Sequence, residues 1–440
     1  MYKSRDILKV SFPIFLSLLA QNVINVTDTA FLGRVGEVEL GASAMGGLYY
    51  ICAFTIAFGF SMGAQILIGR RNGERQFDAV GPVLFQGIIF LFALAVLMFF
   101  LTWRTGGVLM RWLISSDVVR DATMDFLDIR VYGFFFSFIN VMFRALFVGL
   151  TRTKALMFNA LLMSLANVVL DSLMIFGHGG FPQMGVRGAA LASVISEGIS
   201  VVFFLAYTYL TVDRRKYGLT RLRLFDFGLM KRILHISVFM MMQHFVSMST
   251  FFLFFIVVER LGLRSLAVAN IVRSMYVVMF IPVNAFSTAA STLVSNTIGA
   301  GHVRQVIPLV RRIALISFGV MLVFSVIPAL FPQTVLRIYT NDASLIADSV
   351  ASLRTILTAT LVASVANVVF NALSGTGNTR PAFVIEIAVL TVYTFFIYLT
   401  GTQMHQPVHV CFIAEPIYFA CMMAGSILYF RFAPWRDRRI

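Results

Sequence analysis

Three residues in this chain have the type and spacing to do chemistry: Asp28, Asn167 and Asp171. Asp28 lies inside Phe12-Pro-Ile-Phe-Leu-Ser-Leu-Leu-Ala-Gln-Asn-Val-Ile-Asn-Val-Thr-Asp-Thr-Ala-Phe31, an apolar stretch with nothing nearby to draw it to a surface. An ionisable group at membrane depth costs about 2.5–3.5 kcal/mol or more, so by default it marks an ion or substrate path. Asn167 and Asp171 are spaced i, i+4 and share one helix face. An amide there can hydrogen-bond a carboxyl group in either protonation state. If Asp28 approaches from its own helix, two carboxyls occupy one low-dielectric pocket, and such a pair resists losing both protons. That is the behaviour proton coupling requires. Two carboxylates and an amide also suit sodium, so the expected coupling ion is H+ or Na+, with no other cofactor and no other metal. The plainer alternative is that each aspartate merely satisfies a helix contact.

Other residues group around this trio. Pro13, fifteen residues before Asp28, removes a backbone hydrogen bond and is expected to kink or weaken its helix. The kink is either passive or a hinge that responds to protonation of Asp28. Ser193, one turn before Glu197, is a candidate neighbour of the Asp171 site. Gln243, His244 and Met241 are candidates for a substrate cavity in a segment rich in Phe and Met. Flexible sulfur side chains and aromatic faces suit flat lipophilic cations. His244 has no second ligand spaced to join it on a metal. Glu197, Glu386 and Glu415 are further intramembrane acids, the last two with an expected structural role, and Arg144 and Arg273 are the two cations within or beside apolar segments.

The elements that must position these residues follow from composition. The chain is 59% hydrophobic and 12% charged over 440 residues, whereas soluble domains carry about 25% charged residues. Apolar runs of about 20 residues recur throughout, which predicts an all-α polytopic membrane protein with twelve spans. Spans one, four, five, six, seven and ten are expected at residues 7–31, 126–146, 155–176, 189–210, 233–258 and 353–373. The first apolar segment runs on without a cleavage site, so no signal peptide is expected. Cys52, Cys411 and Cys421 have no pairing or metal spacing and read as packing residues. The net charge of +15 reports topology rather than nucleic-acid binding. Lys3, Lys9, Lys154, Lys216 and Lys231 all fall on the side shared by the two termini, which is thereby expected to be cytoplasmic, with attraction to anionic membrane lipid as a secondary effect.

Shifting the sequence by about 226 residues aligns it with itself. Asn140-Val-Met-Phe-Arg-Ala-Leu146 matches Asn367-Val-Val-Phe-Asn-Ala-Leu373, and Gly149-Leu-Thr-Arg-Thr-Lys154 matches Gly375-Thr-Gly-Asn-Thr-Arg380. Ile7-Leu-Lys-Val-Ser11 matches Ile233-Leu-His-Ile-Ser237, and Arg34, Gly36 and Leu40 fall on Arg260, Gly262 and Leu266. Four matches in register predict an internal repeat. Six spans per copy give both copies the same orientation, so two six-helix lobes are expected about a pseudo-two-fold along the membrane normal. The expected lobes are residues 1–211 and 233–440. Residues 212–232 form a basic linker that includes Arg221 and Arg223.

With the repeated glycine turn, Asn167-Val-Val-Leu-Asp-Ser-Leu-Met-Ile-Phe-Gly177, Gly185-Val-Arg-Gly-Ala-Ala-Leu-Ala192 and Ser291-Thr-Leu-Val-Ser-Asn-Thr-Ile-Gly-Ala-Gly301, the chain resembles the multidrug and toxic compound extrusion (MATE) transporters over essentially its whole length. It looks most like the prokaryotic DinF-like branch, whose cation-linked carboxylates match Asp28 and Asp171 and whose accompanying amide matches Asn167. The NorM-like branch places acids in spans seven and ten, where this chain has none. The resemblance implies a monomeric secondary antiporter of the cell inner membrane, exporting amphipathic, often cationic, compounds by alternating access. An alternative is a flippase for a lipid-linked precursor, which would draw on Arg144 and Arg273. A membrane-embedded transferase would need surface acids or a His–Asp pair, and ATP-driven pumping a Walker lysine motif. Neither signature occurs, so no enzyme is expected.

Overall fold

The computed structural model describes residues 2–220 and 225–436, so Arg221 and Arg223 of the basic linker lie outside the described residues. The described chain folds into fifteen α-helices with no strand. The first group is α1 (Ser4–Val35), α2 (Glu37–Gly73), α3 (Val80–Leu113), α4 (Asp117–Arg130), α5 (Gly133–Gly149), α6 (Lys154–Phe176) and α7 (Gly185–Thr211). The second is α8 (Phe227–Arg260), α9 (Leu263–Gly299), α10 (Val306–Leu330), the short α11 (Pro332–Leu336), α12 (Ala343–Gly375), α13 (Thr379–Ile397), the short α14 (Val408–Cys411) and α15 (Ala414–Phe432). Among the described residues, 11 helices are long and apolar enough to cross a membrane, and the bent pair α4–α5 makes up to 12.

Span four differs from its expected form. Instead of one helix over 126–146, the chain starts at Asp117 and bends by 54° between Arg130 and Gly133. The cause is local. Arg130 turns inward to Glu197, and Gly133 leaves the room: a Cβ there would run into the Arg130 guanidinium and the Glu197 carboxylate. Span ten is longer than expected, because α12 begins ten residues before 353. Asp342 caps it, its Oδ1 accepting from the backbone of Ser344 at 2.9 Å and of Leu345 at 3.2 Å. The Ser344 hydroxyl and these amides hold the Asp342 carboxyl below the usual carboxylate range.

The chain divides into two compact units, Leu16–Met241 and Met1–Phe15 with Met242–Ile440, the boundaries falling inside α1 and α8. Within the first unit α2 packs on α3 and α5, α3 on α5, α5 on α7 and α6 on α7. Within the second α9 packs on α10 and α12, α10 on α12, α12 on α15 and α13 on α15. The same pattern thus recurs at the sequence repeat. It recurs in atomic detail as well. Gly149 lies so close to α2 that a Cβ would meet the Gln65 carbonyl and Ile68, and Gly375 meets the Ser291 carbonyl in the same register. In α8, Ser237 donates to the Phe60 carbonyl at 3.0 Å, and Gly59 and Gly63 of α2 let the two backbones touch.

Candidate functional site

Asp28 on α1 and Asn167 and Asp171 on α6 meet within the Leu16–Met241 unit. Carboxylates accept, so the Asn167 amide must turn its nitrogen toward them. In that orientation Nδ2 lies 3.0 Å from Asp28 Oδ1 and 3.2 Å from Asp171 Oδ2. Asp171 and Asn167 are fully buried and Asp28 half-buried, and Asp171 Oδ1 has no hydrogen-bond partner among the described residues. The trio therefore has a closed end at Asp171 and an open end at Asp28. Gln21, Asn25 and Thr29, on the same helix, are exposed at i, i+4 spacing. Polar side chains in a membrane-length helix face water or protein rather than lipid.

A second polar cluster in the same unit is built on Glu197, an acid visible in the sequence whose partners were not. Arg130 forks onto Glu197, Nη2 to Oε1 at 2.7 Å and Nη1 to Oε2 at 3.0 Å. Its guanidinium lies 3.6 Å above the Tyr50 ring, whose hydroxyl sits 3.2 Å from both Glu197 oxygens and 2.7 Å from Ser137 Oγ. Asn140 Nδ2 donates to the Glu197 carbonyl at 3.0 Å. Arg130 is close enough to act electrostatically on Asp28. Arg130 turns inward at the bend that follows it.

The other expected site residues are less concentrated. Ser193 is half-buried on α7, and among the described residues no hydrogen bond joins it to the aspartates. Pro13 is buried in an α1 that runs unbroken past it, and the unit boundary follows two residues later. Met241 and His244 are half-buried and Gln243 is buried, with its Oε1 unpartnered among the described residues. The backbone of Met241 packs against Gly59. Arg144 lies 5.0 Å from the Phe58 ring and Arg273 is exposed on α9.

Comparison with known proteins gives one family. The MatE family model matches twice, over residues 13–173 and 240–399, which follows the internal repeat. A probable multidrug resistance protein NorM of Thermotoga maritima is 24% identical over 99% of this chain and 94% of its own length. The multidrug resistance protein MdtK of Yersinia enterocolitica is 24% identical over 75% of this chain and 71% of its own. Among solved structures, an outward-facing multidrug resistance MATE family transporter of the MOP superfamily superposes with a TM-score of 0.90 at 19% identity, over 99% of this chain and 96% of that one.

Proposed function

From the premise that the chain belongs to the MatE family, and so is a multi-pass membrane transporter and not an enzyme, we propose that it exports amphipathic, often cationic, small molecules in exchange for protons taken up at Asp28, Asn167 and Asp171. The supporting observation is the Asn167 amide spanning both carboxyls at 3.0 and 3.2 Å. A bridge of this kind holds the pair together whether one proton is present or two, so the site can load and release without coming apart. Proton loading and release at this pair, linked to the change of access, couple the proton gradient to export. The half-buried Asp28 is the water-facing member of the pair, and Pro13 on the same helix gives α1 a weak point at which the charge change can act. The protein works as a monomer in the inner membrane with both termini cytoplasmic, its lobes at 1–211 and 233–440 joined by 212–232.

The test is cationic-dye uptake by purified protein in liposomes under an imposed pH gradient without sodium. Native protein should concentrate dye, and Asp28→Asn should lose at least about tenfold in rate, the usual effect of removing an essential proton-transfer group. Uptake that follows only a sodium gradient would keep the site and replace the ion. Unchanged proton-driven uptake by Asp28→Asn would overturn the reading.

A further inference from the structure

Two acids of the Met242–Ile440 unit take no part in the site described above. Glu386 on α13 is 1% exposed, and its Oε1 accepts from Ser247 Oγ at 2.6 Å and from the Tyr418 hydroxyl at 2.7 Å. Its other oxygen, Oε2, is buried without a hydrogen-bond partner among the described residues. Glu415 on α15 accepts from the Tyr393 hydroxyl at 2.8 Å and from the Tyr276 hydroxyl at 3.2 Å. Tyr418, one turn from Glu415, joins the two acids, since its ring lies 5.8 Å from that of Tyr393. No lysine or arginine pairs with either glutamate among the described residues.

The internal repeat shows what is missing. Tyr276 stands at the repeat position of Tyr50, and both phenols hydrogen-bond a glutamate of their own unit, Glu197 on α7 and Glu415 on α15, although the register sets Met423 rather than Glu415 opposite Glu197. In the first unit Arg130 neutralises that glutamate. In the second unit the register puts buried Ile356 and Leu357 where Arg130 would stand, and the nearby Arg354 is exposed. One unit thus carries a built-in counter-cation and the other carries two acids with none. A buried carboxyl with a free oxygen is costly to leave unpaired in either protonation state, because the oxygen wants a cation or the proton wants an acceptor.

What surrounds the acids decides which cation fits. Rings run in contact from Tyr276 to Phe280 at 5.1 Å, to Phe419 at 5.8 Å and on to Tyr418 at 4.9 Å. Glu415, Ser247, Tyr276, Phe280 and Tyr418 are half-buried rather than sealed, so the cluster reaches toward the surface of its unit. Carboxylates set among π faces are the recognition chemistry of an organic ammonium or phosphonium. We propose that Glu386 and Glu415, with Tyr276, Tyr393 and Tyr418, form a docking site for a lipophilic organic cation in the C-terminal unit, separate from the proton site at Asp28. The inference rests on the export reading and deepens it: cargo and coupling ion are held by different halves of the repeat.

Equilibrium binding of tetraphenylphosphonium to purified protein in nanodiscs, with no ion gradient, tests this. Asp28→Asn should keep its binding within about threefold, whereas Glu386→Gln should weaken it by about tenfold or more, as expected for removing one side of a desolvated charge contact. Tyr418→Phe retains the ring and loses the hydroxyl, so a loss of several-fold without loss of fold guards against a Glu386 variant that fails to assemble. Uncharged triphenylphosphine should bind both acids' variants alike. Full affinity in Glu386→Gln and Tyr418→Phe, loss of all binding in Asp28→Asn, or an equal loss for the uncharged probe would each overturn the proposal. Gradient-driven uptake in Asp28→Asn fails or survives independently of these affinities, so the two readings are tested apart.

Discussion

Arg75 and Gly301 make a reciprocal experiment that the repeat itself has set up. The two positions are 226 residues apart and end equivalent helices, α2 and α9. Each cap is built the same way. Arg75 N donates to the Asn72 carbonyl at 3.2 Å and Gln76 N to the Arg71 carbonyl at 3.0 Å, and Gly301 N and His302 N do so to Ile298 at 2.9 Å and Thr297 at 3.0 Å. The residue in the turn is left-handed in both, at φ 60° for Arg75 and 78° for Gly301. A non-glycine residue there costs about 1–2 kcal/mol, and glycine's extra freedom in the unfolded chain returns about 0.5–1 kcal/mol of it. Arg75→Gly should therefore stabilise by about 0.5–1 kcal/mol, and Gly301→Arg should destabilise by about the same. Packing does not confuse the comparison, since Arg75 is exposed and a Cβ on Gly301 meets nothing within 4 Å. The two sites belong to different units, so the double exchange should return close to the native value. Reversible denaturation by SDS in mixed micelles reads the shifts as about two- to five-fold changes in the unfolding constant. Shifts of the same sign in both single variants would refute the argument, because the backbone conformation is alike at the two positions and only the direction of the exchange differs.

Two further outcomes follow from the polar groups. Glu197→Gln leaves the Arg130 guanidinium, whose side chain is 12% exposed, without its counter-charge; breaking a buried pair of this kind should cost about 3–5 kcal/mol. The double variant Arg130→Met with Glu197→Met should recover most of that loss in the same denaturation assay, and a single-variant loss below about 1 kcal/mol would contradict the burial argument. At the start of α12, the depressed Asp342 carboxyl contributes stability above the ordinary carboxylate value of about 3.9 and loses it as pH falls through its own lower value. Asp342→Ala should accordingly lower thermal stability at neutral pH and converge with the native protein in acid, measured by melting over a pH series.

What the sequence revealed was whatever depends on periodicity or on a conspicuous residue. Apolar runs and the 226-residue shift gave the helices and the repeat, and a lone aspartate in an apolar helix gave Asp28. The i, i+4 rule then put Asn167 beside Asp171, and the structure brings Asp28 to both. The break after Arg130 stayed hidden because hydropathy reads composition, and Val131-Tyr-Gly133 is as apolar as a continuous helix would be. Arg130 and Glu197 are 67 residues apart, and each looks like a stray charge until the bend turns one toward the other. Glu386 and Glu415 were visible, but their phenol partners were not. A tyrosine on an apolar helix carries no sign of where its hydroxyl points.

The repeat also explains why one scaffold holds two kinds of polar site. The register that pairs Tyr50 with Tyr276 sets Asn167 against Tyr393, Asp171 against Ile397 and Asp28 against Phe254. The amide that spans two carboxyls in one half is thus replaced in the other by a phenol that donates to Glu415. Both acids of the first site become apolar at the same step. A duplicated fold keeps the places where a buried polar group can be supported, since those are set by helix contacts such as Gly149 on α2 and Gly375 on α9. Which group stands there is free to change, and with it the ion or molecule that the site can hold. A carboxyl pair bridged by an amide is compact and suits a proton. Carboxyls set among phenol and phenyl rings offer charge and π faces together, the chemistry on which the proposed organic-cation site rests. Under the two proposals above, substitution at a handful of buried positions is what separates coupling ion from cargo on one repeated architecture.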